Sequence, residues 1–408
     1  MSAARVVSRL LELNAVSDDP AGLTRLTLSS AHKRAVELVS GWMRAGGLDT
    51  RLDPTGTLVG RLEAQRTGAA KTLLIGSHID SVRNGGMFDG PLGVVIAIEA
   101  LDQLRARGVL LPFAVEVLAF GDEEGVRFPT SLTGSRAAAG TFDPASLDTR
   151  DAAGVSRREA LVAFGCDPDL IADEARDPAN VLGYVEVHIE QGPVLEQRDL
   201  ALGLVTAING ASRGEIFING EAGHSGTVPM AMRRDAAAAA AEIIRAVEEV
   251  GRSTPDLVAT VGRMEVPNGA VNVVPGAARL SLDVRSPSDA DRAEALTRIR
   301  ARIAEIAGRR GVAADVSISY DMPAAPCDPR LMDVFERALV AQGHAPFRLP
   351  SGAGHDAMSF RGRIPQSMLF VRCRGGISHR PDEFASQADI AAALSVLEAF
   401  LESLGANP

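Results

Sequence analysis

His78 and Asp80 stand two residues apart, just after the apolar run 72–75 and Gly76, and side chains at that spacing share a face in extended chain. A carboxylate beside an imidazole can hold its second ring nitrogen, which fixes the tautomer and makes the other nitrogen a better metal ligand. A second acid, Asp89, follows in the glycine-rich turn Gly85-Gly86-Met87-Phe88-Asp89-Gly90. Further on, Asp122-Glu123-Glu124 closes the apolar run 113–120, His188 lies in the alternating stretch 184–190, and His379 falls in Gly375-Gly376-Ile377-Ser378-His379-Arg380-Pro381. Each alone has a bland reading: a polar turn over a buried strand, a solvated acidic turn, a hydrogen-bonded core histidine, a loop histidine. Taken together, His78, Asp89, Glu124, His188 and His379 all fall just past or near the end of a predicted strand. Three imidazoles and two carboxylates suit a pair of divalent cations of the zinc, manganese or cobalt kind. One carboxylate bridging both would set them roughly 3.5–4 Å apart.

The elements that must position these groups are legible as alternation. Helix patterns cover 3–13 and 30–46, the second with the only tryptophan, Trp42; strands are predicted at 49–52, 57–62 and 72–76. A helix at 93–108 carries the apolar stripe Val94, Ile98, Leu101 and Leu104, and a strand covers 113–120. Strands alternating with helices give an α/β fold, a mostly parallel sheet with helices on both faces, whose sites gather at the carboxyl ends of the strands. The polar, Pro/Asp-rich stretch 141–180 reads as a surface excursion, with Ser156 and Glu159 spaced as a capping box for a short helix. In 184–190, Val185, Val187 and Ile189 face one way and Glu186, His188 and Glu190 the other, as in a strand.

From about 208 the pattern changes: a strand at 213–219, a helix at 233–250 with six consecutive alanines at 236–241, strands at 257–265 and 278–285, a helix at 289–308 and a strand at 314–320. This β-α-β-β-α-β order is that of a compact α+β sandwich. After the Pro-rich break 322–326 come a helix (328–342), a strand (367–373) and a last helix (386–404). The expected organisation is one domain of 1–208 with 323–408, and a second, 209–322, inserted in it.

A chain of 408 residues is too long for one ordinary core, and a net charge of −10 disfavours a nucleic-acid partner. Three cysteines, far apart and without C-x-x-C, point to a reducing, cytoplasmic setting. The N-terminus mixes basic and apolar residues as an amphipathic helix does and is a poor signal peptide. No uncharged run approaches the ~20 apolar residues of a membrane helix, so no membrane association is expected. His32 and His344 lie outside every motif and read as surface or packing residues.

The order and wording of the motifs resemble the M20-type metallopeptidase-like amidases, specifically the hydantoinase/carbamoylase branch. That branch holds N-carbamoyl-L-amino-acid hydrolases, allantoate amidohydrolases, ureidoglycolate-forming enzymes and β-ureidopropionases. The matching pieces are Gly76-Ser77-His78-Ile79-Asp80-Ser81-Val82, Gly86-Met87-Phe88-Asp89-Gly90, Asp122-Glu123-Glu124-Gly125-Val126-Arg127-Phe128 and Glu186-Val187-His188-Ile189-Glu190-Gln191-Gly192-Pro193. Gly223-His224-Ser225-Gly226-Thr227, Ser351-Gly352-Ala353-Gly354-His355-Asp356-Ala357 and Ser378-His379-Arg380-Pro381 complete a set that runs from 76 to 381 in family order.

The resemblance implies that His78, Asp89 and His188 hold one ion and Asp89, Glu124 and His379 the other, with Asp89 as the bridge. The ions would be Zn²⁺, with Mn²⁺, Co²⁺ or Ni²⁺ as alternatives. Asp80 would partner His78, and Glu123 would be the general base. The inserted domain would act as a lid and dimerisation domain, making a homodimer with a shared active site. His224 would stabilise the oxyanion from the neighbouring subunit. Asn272 and Arg285 would bind the amide and the carboxylate of a small ureido or amide substrate, with Gln191 and His355 lining the same region. For Arg285 by itself, a surface ion pair with a helix acid is the competing reading. The implied reaction is cleavage of the ureido C–N bond of N-carbamoyl-L-amino acids to amino acid, ammonia and carbon dioxide. Allantoate amidohydrolase, or another N-acyl-amino-acid amidase or dipeptidase, is the alternative. A non-catalytic scaffold on the same fold should have lost the base or a ligand, and all are present.

Overall fold

The structure, a computed structural model, describes residues 2–64 and 70–406; residues 1, 65–69 and 407–408 of the expected larger domain lie outside the described residues. In chain order the strands are β1 (Asp49–Leu52), β2 (Leu58–Leu62), β3 (Thr72–His78), β4 (Ala114–Phe120), β5 (Val181–Ile189), β6 (Leu202–Ile208), β7 (Gly210–Asn219), β8 (Gly223–His224), β9 (Val258–Thr260), β10 (Met264–Glu265), β11 (Val273–Val274), β12 (Ala277–Ser286), β13 (Ala313–Met322), β14 (Ala325–Pro326), β15 (Arg348–Ser351) and β16 (Gln366–Val371). The chain divides into two compact units, residues 1–206 with 326–349 and 354–408, and residues 207–325 with 350–353.

The larger unit is the expected mostly parallel α/β sheet, in the order β1-β2-β4-β3-β5-β16-β6, with β14 and β15 beyond. Its four central strands β4, β3, β5 and β16 are mutually parallel, while β1, β2 and β6 run against their neighbours. The carboxyl ends of those four strands therefore lie side by side. Helix Pro91–Ala106 is buried all round, not along one stripe: Leu92, Val95 and Ile96 are as inaccessible as Val94 and Ile98. It packs against β3 and also against helices Ser2–Asn14 and Gln387–Ala406, and an all-round apolar sequence is what that position requires. Its buried Glu99 is met by Arg5 at 2.7 Å and Arg9 at 3.3 Å from the N-terminal helix.

The stretch 141–180 does form the short capped helix, Arg157–Phe164, with both capping-box hydrogen bonds. It is more than a surface excursion, however. Arg157 is buried and donates to the Asp122 carboxylate and to the Thr130 carbonyl (2.7 Å), with its guanidinium 4.5 Å from the Phe128 ring centroid. The first acid of the 122–124 tripeptide thus has the cationic partner that a buried carboxylate needs.

His32 proves to be a packing residue. It is fully buried, stacks on Phe164 with centroids 5.0 Å apart, and accepts the Leu28 N–H at Nδ1 (3.0 Å). Burial pushes its imidazole down to about 4. As pH falls below the unfolded value of 6.5 the unfolded chain takes up this proton before the folded one. The associated stability is therefore full above 6.5 and is lost toward about pH 4. The loss should reach roughly 2 kcal/mol by pH 5. His32→Asn should flatten the fall in denaturant midpoint between pH 7 and pH 5, and an unchanged slope would assign that fall to other groups.

The smaller unit is an antiparallel sheet in the order β10-β12-β7-β13, with β9 also paired to β12. Helices Ala236–Arg252 and Asp289–Arg310 cover one face, where Ile216, Leu280, Leu282 and Val284 meet Ala239, Ala240, Ile243, Ile299 and Ile303. Alanines at 236, 239 and 240 are fully buried and let the first helix lie close to the sheet. The single strand expected at 257–265 is broken into β9 and β10, because the Ser281 hydroxyl takes the Gly262 and Arg263 amides at 3.1 and 2.9 Å in place of the ladder. A two-stranded ribbon of β8 and β11 pairs His224 with Val273.

Candidate metal centre

β3 runs on to His78, so this imidazole sits on the last strand residue. Its Nδ1 is 3.1 Å from the Asp80 carbonyl oxygen and 3.4 Å from the Asp80 carboxylate, which leaves Nε2 turned toward Asp89 Oδ1 at 3.8 Å. Asp80 does more than hold the ring. Its two oxygens accept the backbone N–H groups of Glu123 (3.2 Å) and Glu124 (3.3 Å), tying the end of β4 to the end of β3. Gly90, at φ 83°, precedes helix Pro91–Ala106, and a Cβ there would lie 2.5 Å from the His78 ring. Both the turn and the close approach demand glycine.

Asp89 is buried and shares its two oxygens between two groups of imidazoles. Oδ1 is 3.2 Å from His188 Nε2 and accepts from Gln191 Nε2 at 3.0 Å; Oδ2 is 3.1 Å from His379 Nε2 and accepts from the Ser378 hydroxyl at 3.2 Å. His188, next to last on β5, has its Nδ1 2.9 Å from the Ile189 carbonyl oxygen, so its buried Nε2 is the atom offered toward Asp89. Glu124 accepts the Val82 N–H at one oxygen (3.0 Å) and puts the other 3.6 Å from His379 Nε2. His379 itself stands at φ 59° on the loop after β16, a backbone strain of the kind functional sites retain.

The residue types and their positions fit divalent cations. The ligand atoms of His78, Asp89 and His188 lie within 4.8 Å of one another, and so do those of Asp89, Glu124 and His379. Among the described residues, Asp89 and Glu124 pair only with imidazoles, never with arginine or lysine. Burial, with Asp89 close by, pushes Glu124 up to about 7. Burial, with Glu124, Asp356 and Asp80 adding and His78 opposing, holds Glu123 well above the usual carboxylate range. Hydrogen bonding to Asp89 pushes His379 up to about 9. Acids so crowded are the charge balance that cations would relieve. Glu123, half-buried beside Glu124, makes no side-chain hydrogen bond among the described residues and stands outside both ligand groups.

His355 lies behind His188, buried, with ring centroids 4.5 Å apart in an edge-on arrangement, and burial holds it well below its usual pKa. With Glu186 it forms a third group around His188. His224, Asn272 and Arg285 belong to the smaller unit. There His224 is exposed on β8, and the Asn272 carbonyl accepts the Ser225 N–H at 2.9 Å, so the ribbon brings these two together. Arg285 bonds Asp283, two residues away on its own strand, and not a helix acid.

Two framing acids escaped the sequence reading. Glu383 accepts the Phe88 and Asp89 N–H groups (2.9 and 3.0 Å) and the Ser378 hydroxyl (2.8 Å), fixing the Asp89 turn. Nothing in the sequence separates it from its neighbour Asp382. Glu186 accepts from Ser77, Tyr184 and the Ala357 N–H. Its signal was visible, since it shares the His188 face of the alternation.

A parallel sheet whose strand ends hold imidazoles around a shared carboxylate is a metallohydrolase scaffold, and the chain belongs to peptidase family M20/M25/M40, whose model matches residues 74–403. Within that family it is 42% identical over 394 residues, 96% of either chain, to the N-carbamoyl-L-amino acid amidohydrolase of Geobacillus stearothermophilus. It is 41% identical to the allantoate deiminase of Arabidopsis thaliana, covering 97% of this chain and 81% of that one. Its fold matches the crystal structure of a hydantoinase/carbamoylase-family amidase from Burkholderia multivorans with a TM-score of 0.93 at 31% identity, covering 100% and 98% of the two chains.

Proposed function

We propose that the chain is a dinuclear metal-dependent amidohydrolase that cleaves the ureido C–N bond of N-carbamoyl-L-amino acids. The observation that carries this reading is the Asp89 carboxylate, with one oxygen toward His78 and His188 and the other toward His379. His78, Asp89 and His188 would hold one ion, and Asp89, Glu124 and His379 the other. Zn²⁺ is the foremost candidate, ahead of Mn²⁺, Co²⁺ and Ni²⁺. Bound there, the ions would supply Lewis acidity and acidify water.

Glu123 takes a proton from the attacking water and returns it to the leaving nitrogen. Asp80 aims this base through its bond to the Glu123 N–H, and it orients His78. Gln191 anchors Asp89 and lines the site, while His355 backs His188. His224 stabilises the oxyanion, Asn272 binds the amide and Arg285 binds the carboxylate. One water and one ureide give the amino acid, ammonia and carbon dioxide.

The enzyme works in the cytoplasm as a homodimer, the smaller unit serving as lid and dimerisation domain and His224 reaching the neighbouring subunit's site. Allantoate is the alternative substrate, favoured by an identity of 41% to the Arabidopsis protein. Metal-loaded protein incubated with N-carbamoyl-L-methionine, allantoate and a dipeptide, with ammonia and amine assays, should turn over the first fastest and lose activity in monomeric fractions. Faster hydrolysis of allantoate would replace the substrate, and hydrolysis of the dipeptide alone would reject the ureide reading.

A further inference from the structure

Arg25 belongs to the larger unit, is completely buried and lies outside every motif of the sequence. Its Nη1 donates to the Leu13 and Val16 carbonyls at 2.8 and 2.9 Å, in the last turn of helix Ser2–Asn14 and just beyond it. Its Nε donates to the Ile79 carbonyl. The backbone of Arg25 makes a second contact two residues further along: its N–H donates to the Ser81 hydroxyl at 2.9 Å, and its carbonyl accepts the Ser81 N–H at 3.0 Å. One residue therefore holds the chain on both sides of Asp80.

The same short segment is tied to the end of β4. The Ile79 N–H donates to the Phe120 carbonyl at 2.7 Å, Asp80 accepts the Glu123 and Glu124 N–H groups, and the Val82 N–H donates to Glu124 at 3.0 Å. Residues 79–82 are thus bonded to β4 and its loop as well as to Arg25. The placing of the Asp80 carboxylate depends on both attachments.

Ending a helix does not require such a residue. Water or an exposed side chain serves the last carbonyls equally well, and burying a guanidinium against carbonyl acceptors alone is unfavourable. The Arg25 Nη2 has no hydrogen-bond partner among the described residues. Burial pulls Arg25 down to about 10, with the Asp80 charge opposing, so it is cationic at neutral pH. Asp80 itself contacts an imidazole and two amides, and no arginine or lysine among the described residues. We propose that Arg25 is a positioning residue of the metal centre: by holding Ile79 and Ser81 it sets the Asp80 carboxylate against His78 and the Glu123 and Glu124 amides. It rests on the reading above that His78 and Glu124 hold cations.

The test is a double-mutant cycle of Arg25→Met and Asp80→Asn, read by competition titration with zinc. Arg25→Met should weaken zinc binding roughly 10–100-fold, the usual effect of a group that orients ligands, and should change the visible absorption of the Co²⁺-loaded protein. In the Asp80→Asn background it should weaken zinc by less than about threefold more, because both residues act through one carboxylate. With N-carbamoyl-L-methionine as substrate, kcat should fall while KM stays within about threefold. Glu99→Gln, which disturbs the same N-terminal helix through Arg5 and Arg9, should leave zinc affinity at the parental value. Parental zinc affinity with an unchanged cobalt spectrum in Arg25→Met overturns the proposal. So does a loss that multiplies in full in the double variant, or an equal loss in Glu99→Gln. Should Arg25→Met fail to fold, Ser81→Ala carries the test: it should weaken zinc about three- to tenfold, and parental affinity there is equally fatal. A parent protein that binds no zinc would instead remove the metal reading itself.

Discussion

Glutamine at position 123 should leave a protein that binds metal like the parent and turns over its ureide about 10³–10⁴-fold more slowly, the upper range for a lost acid–base group. On the proposed reading the loss is large because one carboxylate would both accept the proton of water and deliver it to nitrogen, so both steps fail together. Metal content should not change, since Glu123 stands outside both ligand groups. Nor should the fold suffer. The Glu123 backbone N–H, not its side chain, is what binds Asp80, and burial beside Glu124 already disfavours its charge. Melting temperature should stay level or rise. Glu124→Gln is the control, for there the metal content itself should fall. Turnover within tenfold of the parent in Glu123→Gln, at full metal occupancy, would remove Glu123 from the chemistry.

The features legible in the sequence are those that repeat along it. Short apolar runs marked β3 and β4 and alternation marked β5, and with them the positions of His78, Glu124 and His188 at adjacent strand ends, because a parallel sheet brings its carboxyl ends together. What stayed hidden depends on pairings across long separations or on elements too short to have a period. Arg157 reads as one more charge in a polar stretch, and only the folded chain delivers it to Asp122, 35 residues earlier. The ribbon of β8 and β11 is two residues on each side, below any periodic signal. The stripe Val94, Ile98, Leu101 and Leu104 is only part of the signal in helix Pro91–Ala106: Leu92, Val95 and Ile96 are equally apolar, and an all-round apolar helix signals burial on every side. The ion-pair partner of Arg285 is not a helix acid: residues two apart on a strand share a face, which makes Asp283 the nearer acid.

On the proposed two-ion reading, Asp89→Asn should abolish turnover and, unlike Asp80→Asn, cost the protein both ions. The two acids are both buried and both touch His78, but they do different work. Asp80 spends its oxygens on the Glu123 and Glu124 N–H groups, so its amide should weaken metal binding by roughly 10–100-fold, the usual effect of a residue that orients a ligand. Asp89 sends one oxygen to each imidazole group. An amide there loses the charge and turns one of those oxygens into a donor pointed at a cation. Thermal melts read the difference directly. A ligand that binds only the folded state at a hundredfold excess over Kd adds roughly 2.7 kcal/mol to stability, so the parent and, at higher zinc, Asp80→Asn should show a raised Tm. Asp89→Asn should show no zinc-dependent rise at any concentration that leaves the protein soluble. A shift of parental size in Asp89→Asn would mean that this carboxylate does not bridge, and the two ion sites would then have to be independent of one another.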